Sequence, residues 1–394
     1  MSWAGPYQTN IGKSRNSGLT ATGLPFTNDL PTLLVMSHLR WNFVYQRPQH
    51  LMCRFAHDFN VLFFEEPMVT DDIQAWLEVR PEEKGVQVLV PHLPRGCTET
   101  VVQRLQRDLL EDYLSRLGVE EPVLWFYTPM ALNITDGLRP RLTIYDCMDE
   151  LSAFRGAPLE MIQREQELLR RADLVFTGGY SLWEAKRDFH SNVHAFPSSV
   201  DIAHFSSARH IQTEPFDQAD IPRPRLGFYG VIDERLDIDL VEKIADLRPE
   251  WHIVLVGPVV KIDPASLPQR SNLHYLGAKT YDELPEYLAG WDVAIMPFAL
   301  NESTRFISPT KTPEFLAGGC PVVSTPIKDV VRTYGDTEVV YIADSPDRFV
   351  ESVQKALVIA SDPEKLCDAA DAVLGDMSWD HTWELMMEKI KCEI

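Results

Sequence analysis

The stretch "SPTKTPEF", residues 308–315, sets Lys311 and Glu314 three positions apart in an otherwise apolar neighbourhood. An ammonium group can neutralise phosphate, whereas a carboxylate repels phosphate and suits the two hydroxyls of a ribose. Together they fit a ligand with an anionic part and a diol part, of which a nucleotide diphosphate sugar is one. Pro313 needs no amide donor in a first turn, which predicts a helix starting near Thr310 or Thr312 with its open amides toward the anion. The same spacing also describes an ordinary surface ion pair on a capped helix. Three further sets carry acid–base or binding chemistry. "YDCMDE" closes an apolar run with Asp146, Asp149 and Glu150; Asp149 is the preferred base for an attacking hydroxyl, or else a helix cap. "YQRPQHL" joins Arg47, Gln49 and His50: Arg47 can take a phosphate or acidic acceptor, and His50 can orient a hydroxyl or steady a leaving group. Alternatively Pro48 merely starts a helix, with Arg47 paired and His50 packed. Glu65 and Glu66, at the end of "VLFFEEP", either meet acceptor hydroxyls or cap the next segment.

Metal chemistry is not expected. The acidic pairs lack ligand spacing, no HExxH or Cys/His pattern occurs, and Lys311 with local amides neutralises a pyrophosphate without a cation. The net charge of −21 and an isoelectric point near 4.9 exclude a nucleic-acid partner, since phosphate backbones are held by clustered Lys and Arg. Six scattered cysteines without a CxxC pair, no signal peptide and no run of 18 apolar residues suggest a reduced, cytoplasmic protein, with at most peripheral contact at the inner face of a membrane.

These residues need elements to hold them. Apolar runs at 32–38, 60–67, 86–91, 123–129, 142–150 and 172–179 alternate with helical stretches, as in a parallel sheet covered on both faces. The pattern restarts at 226–230 and continues at 252–258, 273–277, 293–298, 321–325 and 339–343. The expected plan is α/β with two doubly wound, Rossmann-like domains at 30–205 and 225–376. A polar, proline-bearing linker spans 206–224, a mobile arm 1–29, and an amphipathic helix at 377–394 crosses back onto the first domain. Two such sheets, each binding at its strands' carboxyl ends, would face a central cleft with one substrate on each side.

The second half resembles the nucleotide-binding domain of GT-B glycosyltransferases, particularly glycosyltransferase family 4 and its bacterial surface-polysaccharide relatives. The matching pieces are "LVGP", "LHYLGAKTYDELPEYLAGWDVAIMPF" and "SPTKTPEFLAGGCPVVST"; the first half is similar to the acceptor domains of that group through "WNFVYQRPQHLMCRFA" and "TIYDCMDELSAF". The resemblance implies that Glu314 holds the donor ribose and that Lys311 and the backbone amides around Ser308 to Thr310 meet the pyrophosphate, with Pro309, which has no N–H to give, shaping the same turn. It also implies that Gly277 and Tyr281 begin the base pocket and that Gly257 and Pro258 end a strand at the same crevice. The chain departs from the group at Phe306, where the retaining members carry a glutamate. It departs again in "VIDERLDIDL", where Arg235 replaces a basic pair among Asp233, Glu234 and Asp237; Asn301, Glu302 or Ser303 take part of the sugar region. The implied activity moves a sugar from a nucleotide donor, expected to be UDP-linked, to a hydroxyl of a glycan, glycolipid or small acceptor, without a cofactor. An epimerase or hydrolase of the same fold, or a non-catalytic sugar-nucleotide-binding regulator, are the alternatives.

Overall fold

The computed structural model describes residue 27 and residues 29–394 apart from 155. The reading of a mobile arm therefore lies outside the described residues, except for Thr27 and Asp29. Short runs of branched and aromatic residues form strands because both of their faces are buried. "TLLVM" at Thr32–Met36 has all five residues in the core, as do the six of "LTIYDC" at Leu142–Cys147.

The first unit has nine strands among the described residues: β1 (Thr32–Met36), β2 (Asn60–Phe64), β3 (Met68–Thr70), β4 (Trp76–Pro81), β5 (Val86–Pro94), β6 (Val123–Phe126), β7 (Leu142–Cys147), β8 (Leu174–Thr177) and β9 (Val193–Ala195). Their spatial order is β3-β5-β2-β1-β6-β7-β8-β9, with β4 antiparallel on the outer side of β5. The second unit has six: β10 (Arg225–Tyr229), β11 (His252–Val256), β12 (Leu273–Gly277), β13 (Val293–Met296), β14 (Val322–Ser324) and β15 (Val340–Ile342), ordered β12-β11-β10-β13-β14-β15 and parallel throughout. Strand order reverses between β1 and β6 and between β10 and β13. Such switch points open crevices at the strands' carboxyl ends.

Helices cover both faces of each sheet. One face of the first carries Leu51, Met52 and Phe55 of the helix Arg47–Phe55, together with Trp379, Met386, Met387 and Ile390 of the helix Trp379–Glu393. The chain's last helix thus completes the core of the first unit, as expected of a GT-B fold. Arg54 pairs with Asp380 at 2.7 Å and Ser199 Oγ meets Thr382 Oγ1 at 2.7 Å, fixing that crossing. Val200, Phe205, Ala208 and Ile221 join the second core. Residues 206–224 are packed there through Arg209, which donates to the Ala317 carbonyl at 2.7 Å, and Gln218, which bridges Tyr287 and Trp291.

Candidate active site

Glycines set the back wall of the crevice in the second unit. Gly230 and Gly257 follow β10 and β11 with φ of +149° and +145°, and a Cβ on Gly257 would fall 1.8 Å from the Gly230 carbonyl oxygen. Only glycine permits that approach. Gly257 N donates to Gly277 O at 2.8 Å and Pro258 O accepts from Ile232 at 2.9 Å, so the three strand ends are tied edge to edge.

The helix Lys311–Ala317 starts where the proline pattern places it, with Thr310 as cap residue. Lys311 Nζ lies 3.0 Å from Glu314 Oε2 and 3.0 Å from Thr310 Oγ1, and 5.2 Å from the centre of the Tyr229 ring. Glu314 is only 4% exposed. Beside it, the buried phenol hydroxyls of Tyr229 and Tyr281 have no hydrogen-bond partner among the described residues. Burial, reinforced by the Glu314 carboxylate, pushes both phenols up. The Tyr281 ring lies between His204, stacked at 4.3 Å, and Tyr45 of the first unit at 4.6 Å. Ser308 accepts two hydrogen bonds from Ser198, on its Oγ at 3.3 Å and its carbonyl at 2.5 Å. With Pro309 it lines a cavity of about 420 Å³ beside Phe196, Asp329 and Thr382.

Across the cleft, Asp149 stands beyond the carboxyl end of β7, half-buried, with no hydrogen bond to its carboxylate among the described residues. Burial pushes it up to about 6, against the pull of Arg235, Arg47 and Lys261. Two of these cations belong to the second unit, so the electrostatic environment of Asp149 is built by both. Arg235 is held in a two-pronged pair with Asp233, at 2.8–3.1 Å, which leaves it shared between that carboxylate and the cleft. Asp237 caps the next helix through Leu240 N at 2.9 Å.

Other candidates lie elsewhere. Arg47 does not face an acceptor: it is 3% exposed, grips Asp146 at 2.9–3.2 Å and donates to the Phe196 carbonyl at 2.9 Å. Gln49 is a cap; its side chain accepts from Gln46 N at 3.1 Å and donates to Trp41 O at 2.6 Å. His50 is sealed against Trp379, ring centres 4.8 Å apart, and burial together with Arg54 and Lys311 holds it well below its ordinary value. A neutral, enclosed ring cannot reach a reacting hydroxyl. Glu65 is taken by Trp41 N at 2.7 Å and Arg40 at 3.1 Å, whereas the carboxylate of Glu66 is in no hydrogen bond of the described residues and burial pushes it up. Phe306 packs on the first unit's core, which gives an apolar contact where the resemblance implies a carboxylate. Asn301 is engaged with Ser303, Thr304 and the Glu234 carbonyl, and Glu302 pairs with Arg305.

His38, which the spacing of charged residues does not point to, follows β1 at the first sheet's switch point. Its Nδ1 is buried without a partner, and burial aided by Lys261 lowers it to about 4, so the ring is a neutral acceptor at neutral pH. The signal was its position at the end of the first strand. Among the described residues no group of three or more His, Cys, Asp or Glu converges as a metal site, and no helix is long and apolar enough to cross a membrane.

The units also hold each other. Asp329 accepts from Ser181 N at 3.0 Å and from the Ser181 hydroxyl, and a Cβ on Gly179 would lie 2.3 Å from Asp329 Oδ2. Lys328 and Arg332 both pair with Glu184, at 2.5 and 2.8 Å.

Residues 223–375 match the family model described as glycosyl transferases group 1. Over 258 residues the chain is 27% identical to a protein that carries the name teichuronic acid biosynthesis glycosyltransferase TuaH, from Bacillus subtilis (strain 168), covering 60% of this chain and 64% of that one. The chain thus spans somewhat under two thirds of that relative's length. Among solved structures, sucrose-phosphate synthase from Thermosynechococcus elongatus superposes with a TM-score of 0.67 at 14% identity, over 92% of this chain and 98% of that one. An E. coli trehalose-6-phosphate protein bound with UDP-2-fluoro glucose gives 0.65 at 11% identity, over 91% and 99%. At such identities the likeness establishes the two-unit fold.

Proposed function

For a chain of GT-B fold, related to the glycosyl transferases of group 1, we propose transfer of a sugar from a nucleotide diphosphate donor, with UDP as the nucleotide, to a hydroxyl of a glycan or glycolipid precursor. The observation that carries this reading is the ion pair of half-buried Lys311 with buried Glu314, flanked by two phenol hydroxyls without a hydrogen-bond partner among the described residues. Unmet hydrogen bonds in a buried site are costly unless a ligand satisfies them. Glu314 accepts the ribose hydroxyls, and the Lys311 ammonium meets the diphosphate. The acceptor oxygen attacks C1 from the side of Asp149. As the new C–O bond forms, the bond from C1 to the diphosphate breaks and the nucleotide leaves with its electron pair. Lys311 and Arg235 stabilise the charge that develops, and the acceptor proton passes to Asp149. Closing the units over the reactants keeps water from competing for C1.

Calorimetry with UDP, GDP, dTDP and ADP, with and without Mg²⁺, tests the donor half. Metal-independent binding of UDP is expected, weakened roughly 10- to 100-fold by Glu314→Ala or Lys311→Ala, the loss typical of one charge-assisted hydrogen bond. Unchanged affinity in both folded variants would remove the site assignment. Acceptor-dependent formation of a glycosidic bond then separates transfer from donor hydrolysis.

A further inference from the structure

The outer edge of the first sheet carries an open apolar row that the proposed chemistry does not use. Met68 on β3 and Trp76 on β4 are both in register with His92 on β5, so the three side chains share one face across three strands. Trp76 and Met68 are each 42% exposed, and Ile73 in the connecting loop is 95% exposed. The indole is fixed in place. One ring face stacks on His92 at 3.9 Å with 4° between planes, and its N–H donates to Asp72 at 3.0 Å; His92 in turn meets Glu78 at 2.8 Å. The row sits at the same end of the sheet as Glu66, because β2 runs through Glu65–Pro67 directly into β3. It therefore lies at the carboxyl end of the parallel strands, the end at which the switch-point crevice opens.

We propose that this row is a docking platform for the distal sugars of a neutral glycan acceptor, with one pyranose ring lying on the open face of Trp76. The proposal rests on the glycosyl-transfer reading and deepens it. A rigid aromatic ring offers its face to the axial C–H groups of a sugar without ordering cost, while Asp72 and Glu78 stand beside it to accept equatorial hydroxyls. An anionic bilayer is a poorer occupant. The nearby arginines are already paired, Arg95 with Asp71 at 3.3 Å and Arg80 with Glu82 at 2.7 Å, and the whole chain carries −21. Five inter-strand steps separate β4 from β7, which places the platform about 24 Å from the strand that carries Asp149. That span corresponds to several pyranose rings. Platform contacts should consequently matter for long acceptors and not for short ones.

The test is binding of linear neutral gluco-, galacto-, manno- and rhamno-oligosaccharides of two and six units to the full chain, followed by saturation-transfer NMR and calorimetry. Six-unit chains of at least one series should bind, Trp76→Ala should weaken them about tenfold, Trp76→Phe should keep most of the affinity, and the two-unit sugars should not distinguish the three proteins. Hexasaccharide affinity that is absent, or the same in Trp76→Ala, overturns the platform. So does Trp76-dependent sedimentation with phosphatidylglycerol vesicles in place of glycan binding. UDP titration of the same samples keeps the two readings apart: UDP binding without a glycan effect removes the platform alone, and absent UDP binding counts against the donor site.

Discussion

Asp149 is where the residue scale is decided, because its carboxyl is held up to about 6 by burial while three cations oppose the shift. If it takes the acceptor proton, kcat/KM rises with pH through about 6 and levels off above. Asn in its place should remove that limb and lower kcat about 100-fold or more, the range for a general base. A rate profile that keeps the limb in Asp149→Asn assigns the proton to another group, and His38, already neutral above about 4, is the next candidate. The same shift bears on stability. A carboxyl raised from its ordinary 3.8 binds its proton more tightly when folded, so its contribution is present at low pH and is lost as pH climbs from about 3.8 to about 6. Asp149→Asn should thus melt at a higher temperature than the parent at pH 8, and the gap should close near pH 4. Lys311 and Glu314 could be found in the sequence because they share one helical turn. The partners that remove Arg47, Gln49 and Glu65 from the cleft could not, since they come from distant segments: Arg47 and Asp146 are 99 positions apart.

At the scale of elements, that buried pair is a joint. Arg47 opens the helix Arg47–Phe55, Asp146 lies in β7, and the Phe196 carbonyl belongs to the segment after β9, so one guanidinium ties three pieces of the first unit. Burial works against the charge of Arg47, yet Asp146 holds it above its ordinary value. Arg47→Gln leaves a carboxylate buried without its cation and should cost about 3–5 kcal/mol in urea unfolding. UDP affinity of the folded fraction should be retained; a large loss of it with little loss of stability would return Arg47 to the binding site. The central strands could be read from the sequence because strands buried on both faces are continuous apolar runs. β4 could not: half its face is open and Glu78 and Arg80 interrupt it. β9, three half-buried residues, was too short to register.

At the scale of the whole molecule, the two units meet through the apolar and aromatic contacts of Phe306 and Tyr281 and through polar contacts that include Asp329. Asp329 of the second unit caps the start of the helix Tyr180–Lys186 in the first. At the other end of that helix, buried Lys186 holds Glu165 at 2.8 Å and, at 2.7 Å, Glu150, which is next in sequence to Asp149. Closure and the placement of Asp149 are accordingly joined by one helix. Asp329→Ala should speed hydrogen exchange at the Ser181 amide and enlarge the radius of gyration in solution scattering, as the units separate. Exchange and radius equal to the parent's would show that the contact follows closure and does not sustain it. The helix Trp379–Glu393 has a consequence of a different kind. Trp379, Met386, Met387 and Ile390 are part of the first unit's core, yet the ribosome makes them after the entire second unit. The usual order, in which an N-terminal domain folds while the rest is being synthesised, is therefore closed to this chain. Its first unit must wait, with an unfinished apolar face, until residue 390 has emerged from the exit tunnel; a nascent chain held on the ribosome by an appended linker that brings only residues 1–376 into the open should bind chaperones through that face, and one that brings out residues 1–394 should release them.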